Sequence, residues 1–436
     1  MNKILSKKIL ITVLVFFVVL AVGLGGYWLL VQQSNSGTQG GGGESRGPLF
    51  PFSGSGSPDA PTMPESDIQD GVITTTPGMR PALWRVTERP TVAAIAHTVR
   101  DRSDEEKWYI RYVERETMHV YEQEVVSRDK VRLSITNVPR IQEAFFLPGL
   151  PDRFVIRYLD SSAENIQTYR ATLVPRDQEN PPRSDEEKEN AYRISGSFLE
   201  QNIRSIAPNT TGGLVYSVGE GIGSSIKTVS LDGSVSTLYT TPLREVLVSW
   251  PETTTVLLNT KAAYDTPGAL IRIAAGSGAD RIVMTDRPSL LAGMNTTGDR
   301  FVAFTNGREH RSSFSLRNRD GTHRADLSLI TIPEKCTWSV DSPTVIYCAI
   351  PSAIPGTGFP DTWYQGVTHT EDLLWKIDTE TNTTTLLAGQ ADFIREGADE
   401  PLDAINLTVS ADDRYLTFID RKTDELWALR LYTPEL

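Results

Sequence analysis

The chain has 436 residues, a formal net charge of −12 and only two cysteines. Lys3, Lys7 and Lys8 are the only charges before residue 32, so the remainder is more acidic still. No Lys/Arg cluster is present to neutralise phosphates, which argues against a nucleic acid partner and disfavours adhesion to an anionic lipid surface.

Ile9 to Val31 is an uncharged run of 23 residues, and about 20 apolar residues span a bilayer core. The preceding lysines keep the N-terminus cytoplasmic, and Tyr27 and Trp28 suit an interfacial belt. The expectation is a single-pass signal anchor in the cell membrane with the rest of the chain extracytoplasmic. A cleaved signal peptide ending near Ala21-Val22-Gly23 is the alternative. Residues 32–69 hold Gly40-Gly41-Gly42-Gly43, Ser53-Gly54-Ser55-Gly56-Ser57 and several prolines. That composition predicts a flexible linker with a span of roughly 30–35 Å. The folded domain is placed at residues 70–436, and the transmembrane helix is its only expected link to the membrane.

From residue 80 onward a polar or Pro-containing turn followed by a short apolar run recurs. Leu147-Pro148-Gly149 leads into Phe154-Val155-Ile156, and Ala207-Pro208-Asn209 into Leu214-Val215-Tyr216. Trp250-Pro251-Glu252, Asn295 to Gly298, Trp338 to Asp341 and Ser410 to Asp413 lead into similar runs, and Trp108-Tyr109-Ile110 is a seventh member. The runs start at residues 108, 154, 214, 256, 301, 345 and 415, spaced 46, 60, 42, 45, 44 and 70 apart. A period near 40–45 with strand-like content signals β-propeller blades. The expected fold is all-β, with seven four-stranded blades; six or eight are the alternatives. Arg111–Glu114 with His119–Glu122, and residues 226–231 with 235–239 around Asp232-Gly233, predict hairpins. They are taken, with hairpins near Arg317–Gly321 and Thr379–Thr383, as third and fourth strands. The last blade has one strand too few, and Ala82 to Val86 is available to complete it, which would remove an open sheet edge.

Two long gaps mark insertions. Residues 176–193 predict a polar, mobile loop with a possible helical turn. Residues 351–372 carry Phe359, Asp361, Trp363, Tyr364 and Gln365, a candidate binding loop because exposed aromatics anchor protein or glycan partners. The competing reading has Trp363 and Tyr364 folding back to plug the channel or cover a blade. Cys336 and Cys348 flank a turn centred on Ser342, which would set them opposite each other within disulfide reach. Two buried thiols or a redox pair are the alternatives. His97, His119, His310, His323 and His369 form no metal or nucleophile motif, so no catalytic residue, cofactor or metal is assigned. Asp299, Asp320, Asp341, Asp412 and Asp413 read as turn caps.

The blade phrase and its closure resemble the TolB-like and WD40-like propellers of bacterial envelopes over residues 80–436, although the WD dipeptide is missing. Ile110 to Arg115, Tyr347-Cys348-Ala349-Ile350-Pro351 and Trp363-Tyr364-Gln365-Gly366 are similar to an uncharacterised group of membrane-anchored bacterial propellers. That resemblance implies fold and location and transfers no activity. The expected role is protein binding or assembly in the envelope, with envelope proteins as partners ahead of glycans. The alternative is a hydrolase or lyase acting on cell-wall glycan or peptide.

Overall fold

The computed structural model describes residues 82–100, 105–182, 184–307 and 311–431. They form seven four-stranded antiparallel sheets. Every repeat found in the sequence falls in the second strand of a blade: Glu106–Glu114, Leu150–Leu159, Leu214–Glu220, Thr255–Thr260, Arg300–Asn306, Val345–Pro351 and Tyr415–Asp420. These strands are paired on both edges and packed on both faces, so their residues read as nearly continuous apolar runs. Phe301, Val302, Ala303 and Phe304 are all essentially inaccessible.

Ring closure follows the expected route. Leu83–Thr87 (β1) pairs antiparallel with Leu426–Arg430, with Leu83 opposite Leu429 and Arg85 opposite Trp427. The last sheet therefore takes its three inner strands from the C-terminal end and its outer strand from residues 83–87. The core is divided in the same way. Each junction between adjacent blades holds its own apolar cluster. The one between the last blade and the first joins Trp84, Tyr415 and Leu426 to Ile110 and Tyr112. Sealing that junction buries hydrophobic area at about 25 cal/mol per Å² and covers the edge of Leu426–Arg430 that would otherwise lie open.

One hairpin assignment is corrected. Arg111–Glu114 and His119–Glu122 belong to the second and third strands of the first blade, because Trp108–Ile110 and Arg111–Glu114 are parts of one strand, Glu106–Glu114. The hairpin around Asp232-Gly233 does join third and fourth strands. There Gly233 takes φ of 96°, a conformation that glycine adopts without a side-chain clash.

The insertion at residues 176–193 is docked, contrary to the mobile loop expected. Its helical turn Asp185–Lys188 (α1) is capped by Ser184. It crosses from the second blade to the outer strand of the first, where Arg132 Nε donates to Asn190 Oδ1 at 2.9 Å. The driving contact is Lys188, 5% exposed, whose Nζ donates to the buried Glu122 at 2.8 Å.

Cys336 and Cys348 are register partners and form a disulfide. Closing so short a loop contributes up to about 3 kcal/mol. Both thiols are expected to resist alkylation in denatured protein until reductant is added; equal labelling with and without reductant would contradict the bond.

The run Ile9–Val31 and the linker lie outside the described residues. Among the described residues no helix is long and apolar enough to cross a membrane.

Candidate functional site

In a four-stranded meander, connections alternate between the two ends of the strands. Second-to-third turns and blade-to-blade crossings thus emerge on one face of the ring, here called upper, and the remaining turns on the lower face. The upper face carries a 3-10 turn at Pro333–Lys335, a helical turn at Asp361–Tyr364 (α2) and a helix at Gln390–Arg395 (α3).

The inner strands of blades three to six, among them Val246–Glu252, Leu291–Met294 and Cys336–Trp338, line a cavity of about 490 Å³. Leu247, Met294, Val302 and Trp338 supply apolar wall, and Glu334 and Thr337 supply polar edge. Three further lining groups, Ser249 Oγ, Trp250 Nε1 and Asn259 Oδ1, are buried without a hydrogen-bond partner among the described residues. Asn259 is 7% exposed, and its Nδ2 donates to Ala292 O at 3.1 Å, which fixes the amide. An unmet buried polar group costs about 1–3 kcal/mol. Three of them on one cavity wall form a ready set of one donor, one acceptor and one hydroxyl.

Glu334 stands where the upper face meets this cavity. Tyr364 donates to its Oε1 at 2.5 Å. Glu334 is exposed, and the protein crowded around its carboxyl raises its pKa, the Tyr364 hydrogen bond pulling the other way. Burial beside Glu334 likewise pushes the Tyr364 phenol well above its ordinary value.

The insertion loop is folded back, as the competing reading of the sequence has it, and is not an exposed aromatic anchor. Phe359 is 1% exposed and packs edge-on against Phe304, while Asn306 Nδ2 donates to its carbonyl at 3.0 Å. Asp361 accepts the Tyr264 backbone N–H at 3.1 Å. Trp363 is 5% exposed, and its Nε1 donates to Asp403 at 3.0 Å. An indole N–H needs an acceptor when buried, and Asp403 draws the ring inward. Arg421 lies over the same ring at 4.3 Å. Of the five residues singled out, Gln365 remains exposed, and Tyr364 alone reaches the cavity, through Glu334.

Two buried ionic clusters lie elsewhere, and neither has a signature in the sequence. In the first, Glu122, at 0% exposure, meets Arg111 Nη2 at 2.7 Å, His97 Nε2 at 2.9 Å and Lys188. Burial pushes the Glu122 carboxyl up, but the cations around it outweigh that and hold it well below the usual range. Burial lowers the His97 imidazole, partly offset by Glu122. In the second, Lys335, Asp372 and Asp403 meet beneath Trp363. His369, half exposed, touches Asp403 at 3.3 Å. The turn aspartates cap as expected at Asp320 and Asp412. Asp413 instead reaches the preceding blade, accepting from the Val340 backbone N–H at 3.0 Å. His310 lies outside the described residues, and among them no group of His, Cys, Asp and Glu is arranged to hold a metal ion.

No protein-family model matches the chain, and no curated protein does. Solved structures do match. TolB from Acinetobacter baumannii aligns at 8% identity and a TM-score of 0.40, covering 68% of this chain and 64% of that one, so the chain spans less than two thirds of it. An oligogalacturonate lyase in complex with manganese aligns at 10% identity and 0.46, covering 79% and 98%. The Neurospora crassa Pan2 WD40 domain aligns at 8% and 0.42, covering 80% and 98%. The likeness is one of fold: a seven-bladed propeller similar to TolB and WD40 propellers.

Proposed function

We propose that this chain is a binding module that takes an extended segment of a partner protein into its central channel, and that it does so in the cell envelope, tethered by its N-terminal segment. The observation that carries the reading is the cavity between blades three and six, with its apolar wall and three unmet polar groups. An extended chain offers one N–H and one C=O per residue, the complement of Trp250 Nε1, Asn259 Oδ1 and Ser249 Oγ. Its side chains would pack on Leu247, Met294 and Trp338. The Cys336–Cys348 bond supports the location, since such bonds persist in oxidising compartments.

The test fills the cavity. Ser249→Trp in the full-length protein is expected to abolish co-purification of a partner recovered with the wild type while leaving the unfolding midpoint unchanged. Undiminished recovery with the channel filled would overturn the reading.

One observation favours a catalytic alternative. Glu334 is an exposed carboxyl lining the channel mouth, hydrogen-bonded by Tyr364 and pushed up in pKa by the protein around it, an arrangement a general acid could use. Turnover of cell-wall oligosaccharides or peptides that disappears in Glu334→Gln would establish it in place of the binding module.

A further inference from the structure

Lys335 is fully buried at 0% exposure, with Asp372 at 1% and Asp403 at 0%. Its Nζ lies 2.5 Å from Asp372 Oδ2 and 2.6 Å from Asp403 Oδ1, with the Trp363 ring 5.1 Å away. The two carboxylates are not equivalent. Asp403 is held by Thr370 Oγ1 at 2.9 Å and by Trp363, and Arg421 Nη1 stands 3.9 Å from it. Asp372 has one oxygen, Oδ2, held by the Ala404 backbone N–H at 2.8 Å; the other, Oδ1, is buried with no partner among the described residues. Removing an ammonium and two carboxylates from water is costly, and an orphaned carboxylate oxygen adds to that cost.

We propose that Lys335 and Asp372 condense into an intramolecular isopeptide bond, with Asp403 as the proton relay. One proton crosses the 2.5 Å contact from the ammonium to the Asp372 carboxyl, giving a neutral amine and a neutral acid, the forms a dry site favours. The amine attacks Asp372 Cγ. As the C–N bond forms, Asp403 Oδ1 takes the second proton from nitrogen and passes it to the departing oxygen. The proton first placed on Oδ2 moves to Oδ1 as Oδ2 re-forms the carbonyl, the Cγ–Oδ1 bond breaks, and Oδ1 leaves as water with the two protons the nitrogen gave up. Asp403 ends as it began, an anion, so the charge of the cluster is unchanged and no oxidant or cofactor is required. The oxygen lost is the one without a partner. The oxygen kept retains the Ala404 N–H, and the new amide N–H faces Asp403 Oδ1. The bond ties the crossing into blade six to that blade's third strand, one residue from the Cys336–Cys348 staple.

Peptide mapping of the full-length protein decides it. After reduction, alkylation and trypsin digestion, Lys335 should not be cleaved. Residues 325–376 should appear as one peptide lighter by one water, and fragmentation should give no backbone break that separates residue 335 from 372. Separate peptides 325–335 and 336–376 at full mass would show an ordinary ion pair and overturn the proposal.

Discussion

Glu122→Ala is expected to lower the stability of the propeller by about 3–5 kcal/mol, the penalty for removing one partner of a buried ionic cluster. Glu122 is enclosed on every side: His97 comes from the inner strand of blade one, Arg111 from the second strand, and Lys188 from the helical turn sent across by blade two. Without it, Arg111 and Lys188 face each other in a desolvated site. Arg111 keeps Asp152 and the Pro151 carbonyl, and Lys188 keeps Asp185. The expected result is therefore release of α1 from blade one together with a large shift in the denaturation midpoint. Urea unfolding measures the shift, and proteolysis at residues 176–193 reads the release. An unfolding free energy within about 0.5 kcal/mol of wild type, the size of a neutral surface substitution, would show that the cluster is not what docks the loop.

The same cluster sets a pH dependence. Burial depresses His97 in the folded state, so below about pH 6.5, the ordinary imidazole value, the unfolded chain takes up a proton that the folded chain refuses. Stability then falls as pH falls. Glu122 is depressed too; its contribution is complete above the ordinary carboxylate value and is lost only in stronger acid, as pH falls toward its folded value. The His97 part is isolated by comparing wild type with His97→Gln between pH 7.5 and about 5.5, where the substitution should flatten the profile.

Deleting residues 82–87 is expected to have a comparable effect by a different route. Leu83, Trp84 and Val86 are each buried and join the clusters on both sides of the last blade. Burial of such side chains is worth about 1.5–3 kcal/mol each. The deletion also leaves Leu426–Arg430 as an unpaired edge, a template for intermolecular pairing. The truncated protein should unfold at lower denaturant and self-associate by sedimentation. Appending the same residues after residue 431 through a short turn should restore both properties, because the pairing with Leu426–Arg430 is antiparallel. An unchanged midpoint and a monomeric truncation would mean that the ring does not depend on this strand.

The fold was legible because second strands are buried on both faces. Phe301–Phe304 and Tyr415–Phe418 therefore stand out as apolar runs at a blade-length period. Outer strands carry no such signal. Val235–Thr241 is largely exposed and was found through the Asp232-Gly233 turn beside it. The disulfide was legible because a short hairpin fixes its own register. The site was not. Lys335, Asp372 and Asp403 lie 37 and 31 residues apart along the chain, and a buried lysine or aspartate looks like any surface charge until its partners are known. Trp363 stayed ambiguous for the same reason: in a Pro/Gly-rich loop it reads either as an exposed anchor or as a ring folded back, and only the position of Asp403 shows why it turns inward. The channel cavity had no linear signature, since Ser249, Asn259 and Glu334 come from three separate connections and strands.

Whether the channel receives a partner's chain is read directly by a photo-crosslinker at Thr337, on the cavity wall, in the full-length protein in its own cells. The expected result is a crosslink to a single recurrent segment of one envelope protein, mapped at peptide level and lost when Ser249→Trp fills the cavity. Crosslinks confined to the propeller's own residues, or a partner adduct that persists with the cavity filled, would contradict it.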